Sequence, residues 1–518
     1  MLKRFGGTWA LPLLAGLLHA LSIADPWTGQ AHGSLQIVAL AILVAGLERS
    51  TNARQSALQA WLFACAWLCG SFWWLYISMH TYGGLPAPLA ALAVLALAAT
   101  LSLYYAATGW AYQRWGRPLA SPALRALVFA ALWLAAELAR GTVFTGFGWG
   151  GSGYAHVDGT LAGYAPWVGV YGISAVAAGL AAGLAYLTLL NRTAFSRMAW
   201  SGCGLWLTVF ILPWWLNAAA PQGESTGKLQ VALLQGNIPQ DEKFQPGSGV
   251  PMALRWYYEQ LQEAHGSAQE PVLVVAPETA LPLLPQQLPE GYWSSLETRY
   301  ARGTQAALIG LPMGDRHGGY TNSAVALAPD TGSWRYDKHH LVPFGEFIPT
   351  GFKWFTQMMS IPLGDFRSGP VGAASWVWQG QRLAPNICYE DLFGEELAAR
   401  FVDPAQAPTV FVNLSNIAWF GDSVAIDQHL NISRMRALEF ARPFVRATNT
   451  GATAIIDHRG QVVATVPRLT RAVLRSQVEG RSGLTPYARW AAQLGLWPYL
   501  VLIGLVLGGA VVIRRRAP

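Results

Sequence analysis

Charge is scarce in this chain. Asp, Glu, Lys and Arg make up 12% of its 518 residues, against about a quarter in soluble domains. With 53% of the residues hydrophobic, that shortage excludes a wholly soluble protein and points to a bilayer. The formal charge of +7 does not imply nucleic acid, because the Lys and Arg residues lie mostly between apolar segments and at the two ends, where they orient membrane spans. Cysteine is equally sparse. Of the four present, Cys65, Cys69 and Cys203 lie in apolar segments, so Cys388 is the only thiol in the polar part of the chain. This pattern gives no disulfide framework and no metal-ligating cysteine pair. Fixed-period repeats and low-complexity tracts are also missing.

Long apolar runs are plentiful. They fall at about Thr8–Ala24, Ser34–Leu47, Ala57–Met79, Pro88–Tyr112, Pro122–Ala139, Pro166–Leu190, Ala199–Asn217 and Ala491–Ile513. A span needs roughly 20 such residues, so the pattern predicts a polytopic helical membrane domain of about eight transmembrane helices, Ser34–Leu47 being the short one. Seven belong to residues 1–220, and the last to a C-terminal helix and tail, 488–518. Basic residues occupy alternate connections: Lys3 and Arg4, Arg49 and Arg54, Arg114 and Arg117, Arg192 and Arg197, then Arg514 to Arg516. By the positive-inside rule both termini are cytoplasmic and the polar region lies on the other side. The first segment also has the look of a signal peptide ending at Ser22-Ile23-Ala24. It is read as a retained span because the chain beyond it is itself polytopic.

Residues 228–481 change character, to short β-rich runs at 229–237, 271–279, 306–313, 321–329 and 408–416. Their continuously apolar composition suits central strands covered on both faces of an α/β core. Pro221–Gly227 and Gly480–Tyr487 read as linkers. Three ionisable residues end candidate strands: Glu278 after VVAP, Lys338 after the short strand in PDTGSWRYDK, and Cys388 after LAPNI. Strand ends of an α/β sheet converge on one crevice, where a carboxylate, an ammonium and a thiol make a coherent acyl-transfer set. Asp391–Arg400 has the composition of a helix, and a sulfur at its N-terminal end is expected to favour thiolate.

APET with Glu278, YDKHHLVPFGEFIP with Lys338 and Glu346, and NICYED with Cys388 resemble the Glu-Lys-Cys signature of the nitrilase, or carbon–nitrogen hydrolase, superfamily. The flanking spans and the strings QGNIPQ, NLSNIAWFGDS and QHLNISRMRALEFARPFVRATNTG narrow the resemblance to the apolipoprotein N-acyltransferase family. It implies an αββα sandwich domain exposed to the periplasm of a bacterial inner-membrane protein. It also implies acyl transfer from a phospholipid, typically phosphatidylethanolamine, through a Cys388 thioester to the α-amino group of a diacylglyceryl apolipoprotein, with no cofactor and no metal. Under it Glu278 is the general base, Lys338 the oxyanion cation and Cys388 the nucleophile. Glu346 positions the site, Tyr389 and Glu390 support the nucleophile turn, and Phe244 and Trp419 contact substrate. Two positions depart from the family's pattern: Phe244 stands where Trp is frequent, and Ile417 where Asp is usual.

Other features have plainer readings. Lys353–Pro362, KWFTQMMSIP, is either a core helix or an adaptable apolar arm over the site. His339 and His340 are adjacent and so face opposite ways on a strand, which argues against a metal site. Trp73, Trp74, Trp214, Trp215 and Trp497 lie near span ends, where interfacial anchoring accounts for them. Gly146–Gly153 reads as a re-entrant or surface loop, and Arg140 as a helix cap or a contact for lipid phosphate. A membrane-tethered amidase would use the same triad with water as acceptor. A transporter would need ionisable residues within its spans, and these carry almost none beyond His19, Arg125 and Glu137, the last two placed where they reach the interface.

Overall fold

The computed structural model describes residues 2–189, 209–216, 218–265, 271–329, 333–352, 354 and 365–516. The chain divides into two compact units, one of residues Met1–Trp73, Pro88–Ala220 and Leu494–Pro518, the other of Trp74–Ala87 and Pro221–Gln493.

The first unit is helical. Its Ala- and Leu-rich segments lose little side-chain entropy on coiling, and their ends are marked by polar caps. Asn52 accepts from Gln55 N at 3.0 Å at the start of Ala53–Phe72, and Ser121, followed by Pro122, accepts from Leu124 N at the start of Pro122–Thr142. Among the described residues four helices are long and apolar enough to cross a membrane, or five if Ala53–Phe72 and the bent Leu75–Tyr82 count as one span. The run at Thr8–Ala24 lies in helix Leu2–Ile23, Ser34–Leu47 in helix Gly33–Arg49, and the run at Ala199–Asn217 is largely outside the described residues.

Two expectations for this unit are corrected. Arg140 neither caps its helix nor faces lipid: it is 1% exposed and donates to Phe147 O at 2.7 Å and Trp149 O at 2.8 Å, pinning the Gly-rich loop. Glu137 is likewise buried rather than interfacial. It faces Arg140 at 3.6 Å, hydrogen-bonds Tyr105 and accepts from Ser152 N at 3.0 Å. A buried charge pair needs such extra hydrogen bonds to offset its desolvation. With Trp149 and Ser152–His156 buried, the loop is folded into the unit's interior.

The second unit holds two mixed sheets. The first has the order β12-β1-β2-β3-β4-β5, with β1 Ser225–Gln235, β2 Val272–Ala276, β3 Gln305–Asp315, β4 Gly319–Leu327, β5 Ser333–Asp337 and β12 Ala472–Arg481. The second has the order β11-β10-β9-β8-β7-β6, with β6 Trp376–Trp378, β7 Gln381–Ile387, β8 Val410–Ser415, β9 Phe444–Thr448, β10 Ala454–Ile456 and β11 Val462–Thr465. Strands β1, β2 and β3 run parallel, as do β7, β8 and β9.

Alternate residues of one strand serve two cores. Val231, Leu233, Leu273 and Val275 face Leu383, Ile387, Val410 and Val412 between the sheets. Ala232, Leu234, Val274 and Ile309 turn outward under helices Gly249–Gln262 and Tyr292–Tyr300. On the far side Ala384 and Phe411 meet Ala437 and Phe440 of helix Ala425–Phe440 and Tyr487 of helix Pro486–Leu494. Burial on both faces is why these strands read as unbroken apolar runs. The last helix also corrects the C-terminal boundary. The segment read as a linker from Gly480 contains the end of β12 and the start of Pro486–Leu494, which stays with the sandwich because Tyr487, Ala488 and Ala491 are buried there. Trp74 is corrected too: it is buried, stacks on Phe420 at 4.2 Å and donates to Gln428 Oε1, while Trp73, Trp214, Trp215 and Trp497 are exposed.

Candidate active site

Glu278 lies two residues past β2, Lys338 directly after β5 and Cys388 directly after β7. The strand ends come from both sheets, and the side chains gather at one end of the sandwich. Lys338 Nζ stands 3.3 Å from Glu278 Oε1 and 3.0 and 2.9 Å from the two oxygens of Glu346. Asn322 Nδ2, from β4, donates to both carboxylates at 2.8 and 2.7 Å. Asn416 N donates to the other Glu278 oxygen at 2.9 Å. Lys338 is 1% exposed, so its charge survives only through these partners.

Burial and neighbouring charge set the protonation states. Burial works against the Lys338 ammonium, but Glu346 and then Glu278 hold its pKa well above the usual value. Burial also penalises the Glu278 carboxylate, yet Lys338, the Asn322 amide and Lys243 keep it below the ordinary carboxyl range. Cys388 goes the other way: burial and the facing Glu278 carboxylate push its thiol up to about 12 against the pull of Lys338.

This overturns the expected resting thiolate. The segment after Cys388 is a 3-10 turn, Cys388–Leu392, a short helix, Gly394–Ala398, and another 3-10 turn, Ala399–Phe401. Such short pieces supply little macrodipole. The thiol therefore rests protonated beside an ionised carboxylate that can take its proton. Alkylation of Cys388 by iodoacetamide is accordingly expected to quicken about tenfold per pH unit across pH 7–9.5. A plateau beginning near pH 8.5, followed by mass spectrometry, would contradict the protonated-thiol assignment.

The turn itself is strained and strapped. Cys388 has φ +54°, a left-handed conformation costing a non-glycine residue about 1–3 kcal/mol. Its carbonyl accepts from Asn413 Nδ2 at 3.0 Å and from His429 Nε2 at 3.1 Å. His429 Nε2 also meets Asp391 Oδ1 at 3.0 Å, and Arg446 Nη2 lies 3.2 Å from His429 Nδ1. Two acceptors at Nε2 and a donor at Nδ1 place the imidazole proton on Nε2. Glu390, whose carboxyl burial pushes up, accepts from Ile387 N at 2.6 Å, His339 N at 2.7 Å and Tyr336 OH at 2.8 Å. It ties the nucleophile strand to the turn that comes after Lys338. Tyr389 packs on Phe393 and His340.

Phe244 and Trp419 stack at 6.4 Å, and Tyr82 meets Trp419 edge-on at 6.1 Å. Ile417 is buried, 1% exposed. An apolar side chain satisfies that position, where a carboxylate would need a buried partner. His339 and His340 are engaged elsewhere, His339 with Gly369 O at 2.7 Å and His340 with Glu396 at 2.8 Å. KWFTQMMSIP lies outside the described residues apart from Trp354, which is exposed.

Sequence reading missed Asn322, Lys243, Asn413, Asn416 and the His429–Asp391–Arg446 group. Asn322 had a usable signal, a residue disfavoured in strands within the apolar run TNSAVALAP. Lys243, 1% exposed, donates to Glu278 O at 3.2 Å, and burial lowers its pKa to about 7.

A family model described as the apolipoprotein N-acyltransferase N-terminal domain matches residues 15–183, and one described as carbon-nitrogen hydrolase matches residues 230–487. A protein named apolipoprotein N-acyltransferase from Verminephrobacter eiseniae is 56% identical over 516 residues, covering 94% of this chain and 94% of its own. Proteins of the same name from Ralstonia nicotianae and Bordetella bronchiseptica are 46% and 41% identical, over 98% and 99% of this chain and 94% and 98% of theirs. The chain belongs to the apolipoprotein N-acyltransferase family.

Proposed function

We propose that this membrane protein moves a fatty acyl group from a phospholipid, through a thioester on Cys388, to the α-amino group of a diacylglyceryl-cysteine at the N-terminus of an apolipoprotein. The observation that carries the assignment of residues is the shared buried network of Glu278, Lys338 and Glu346 beside a thiol held at a left-handed turn.

In the first half-reaction Glu278 takes the Cys388 proton as the sulfur attacks the ester carbonyl. Lys338 faces the oxyanion that develops. The tetrahedral intermediate then expels the lysophospholipid alkoxide, which recovers the proton from Glu278. In the second half-reaction the acceptor amine, in its neutral form, attacks the thioester. Glu278 takes a proton from the nitrogen and returns it to the departing sulfur, regenerating the thiol. The thioester conserves the acyl-transfer energy, so the cycle as written consumes no cofactor. Glu346 and Asn322 keep Lys338 and Glu278 in register, and Glu390 and Tyr389 steady the turn. Phe244 and Trp419 offer flat apolar faces to lipid chains.

Phosphatidylethanolamine is the proposed donor, and the bacterial inner membrane the proposed site. The alternating basic connections support eight spans, cytoplasmic termini and a periplasmic sandwich. The proposed domains are a membrane part within 1–220, a catalytic part from 228 and a final span after Leu494. Incubating the full-length protein in detergent with a defined phosphatidylethanolamine is expected to add one acyl mass on Cys388, discharged when a diacylglyceryl-cysteine peptide is added. An acyl mass on another residue, or discharge to free fatty acid alone, would refute the assignment, the latter in favour of a hydrolase.

A further inference from the structure

A cavity of about 310 Å³ has Tyr82, Asn237, Gln240, Asp241, Asp422 and Thr450 in its wall. It is two hydrogen bonds from the general base. Asn416 Nδ2 donates to Gln240 Oε1 at 2.9 Å, and Asn416 N donates to Glu278 Oε2 at 2.9 Å. Ala418 and Gly421, which flank Trp419 and Phe420 in sequence, also line it. The cavity is therefore joined to the general base through Asn416.

The chemistry of the wall is selective. Gln240 and Thr450 are both 6% exposed, and Gln240 Nε2 and Thr450 Oγ1 find no hydrogen-bond partner among the described residues. Buried donors left this way are costly and call for a polar occupant. A peptide unit offers what they need, a carbonyl for the amide N–H and an N–H for the hydroxyl oxygen. Charge narrows the choice further. Asp241 and Asp422 stand on the wall, and among the described residues no Lys, Arg or His does. Arg468, which pairs with Asp422 at 3.4 Å, is shared with Asp427 at 3.1 Å and offsets one of the two carboxylates. A phosphodiester headgroup would meet like charge here, whereas a neutral main chain or a cationic side chain would not.

We infer that this cavity is the subsite for the acceptor's polypeptide, the main chain just beyond its lipidated cysteine, and that Asp241 and Asp422 make it favour cationic over anionic side chains there. The inference rests on the acyltransferase reading and adds to it which part of which substrate is recognised, and by what.

The test uses full-length enzyme in detergent, first loaded with acyl groups from phosphatidylethanolamine, then chased with diacylglyceryl-cysteine peptides that differ only in the two residues after the cysteine. Lys-Lys and Glu-Glu peptides are compared as a ratio of kcat/KM. The ratio is expected to favour Lys-Lys by about tenfold at low salt, the size two partly solvated charge pairs supply. In an Asp241→Asn, Asp422→Asn double variant it is expected to fall to about twofold or less, since neutral amides have no sign to read. Misfolding lowers both rates and leaves their ratio alone, so it does not imitate this result. Equal rates for the two peptides in the unaltered enzyme, or a ratio that persists in the double variant, would overturn the subsite while the loaded thioester leaves the acyltransferase reading standing. If no thioester forms from phospholipid at all, both fall together.

Discussion

Cys388→Ala enzyme is expected to load no acyl group from phospholipid and to lose N-acylation by on the order of 10⁶-fold, the scale on which removal of a covalent nucleophile is felt. The size reflects the groups that would remain. Glu278, Lys338 and Glu346 would still form their network, because none of its hydrogen bonds is made by the sulfur. A phospholipid ester would then face a base and a cation with nothing to attack it but water or the acceptor amine, in a site arranged for a sulfur. The fold should survive. The backbone turn is held through the Cys388 carbonyl by Asn413 and His429, and alanine keeps the same Cβ, so the thermal midpoint is expected to move by only a few degrees. Cys388→Ser separates nucleophilicity from shape. A hydroxyl is a far weaker nucleophile than a thiol that loses its proton to Glu278, and loading is expected to drop by roughly 10³-fold or more. Intact-mass detection of the acyl-enzyme and chromatography of the acylated peptide read the two half-reactions separately. Transfer within tenfold of normal in Cys388→Ala would remove this residue as acyl carrier.

How much of this was legible in the sequence differs by kind of information. Strands β1–β5, β7 and β8 were, because burial on both faces leaves an unbroken apolar run such as VALL or VLVV, and the three strand-end residues stand out against such runs, whereas β6 and β9–β12 were not read. The electrostatic state of Cys388 was not. A helix was read into Asp391–Arg400 from composition, but Glu390 is turned back to Ile387 N and the chain breaks into 3-10 turns, so burial and Glu278 set the thiol instead. The supporting cast was hidden for a related reason. Asn413 and His429 act on a backbone carbonyl 25 and 41 residues away, and no periodicity reports such a partner. Glu137 was misplaced at the interface, and Arg140 at a helix cap or a lipid phosphate, because sequence position along a span does not say which face is turned inward. The pair sits on the buried side, where the 141–165 loop folds back onto it.

The second large effect concerns Lys338, whose replacement by methionine is expected to damage stability and chemistry together, with a pH signature that identifies the cause. Its ammonium is the cation that both Glu278 and Glu346 face, and Asn322 bridges the same two carboxylates. Methionine fills much of the space but leaves two buried carboxylates confronting each other, and breaking a buried pair in this way costs about 3–5 kcal/mol. Two carboxyls sharing a site cannot both ionise cheaply, so one of them takes up a proton. In the unaltered protein the folded-state pKa of Glu278 is lowered from its ordinary value of 4.5, so its contribution to stability is present above that value and lost as pH falls through the lowered one. In Lys338→Met the shared carboxyl has a raised folded-state pKa, so its contribution is held at low pH and lost as pH rises through it. The gap in thermal midpoint between the two proteins is therefore expected to be widest near pH 8 and to narrow steadily towards pH 5. Acyl loading should fall by on the order of 10⁴-fold, because the variant loses its oxyanion partner, and its base is partly protonated. A gap that stays constant across that range would mean that lost packing, and not the two carboxylates, explains the instability. Normal loading would mean that the oxyanion is stabilised by some group other than Lys338.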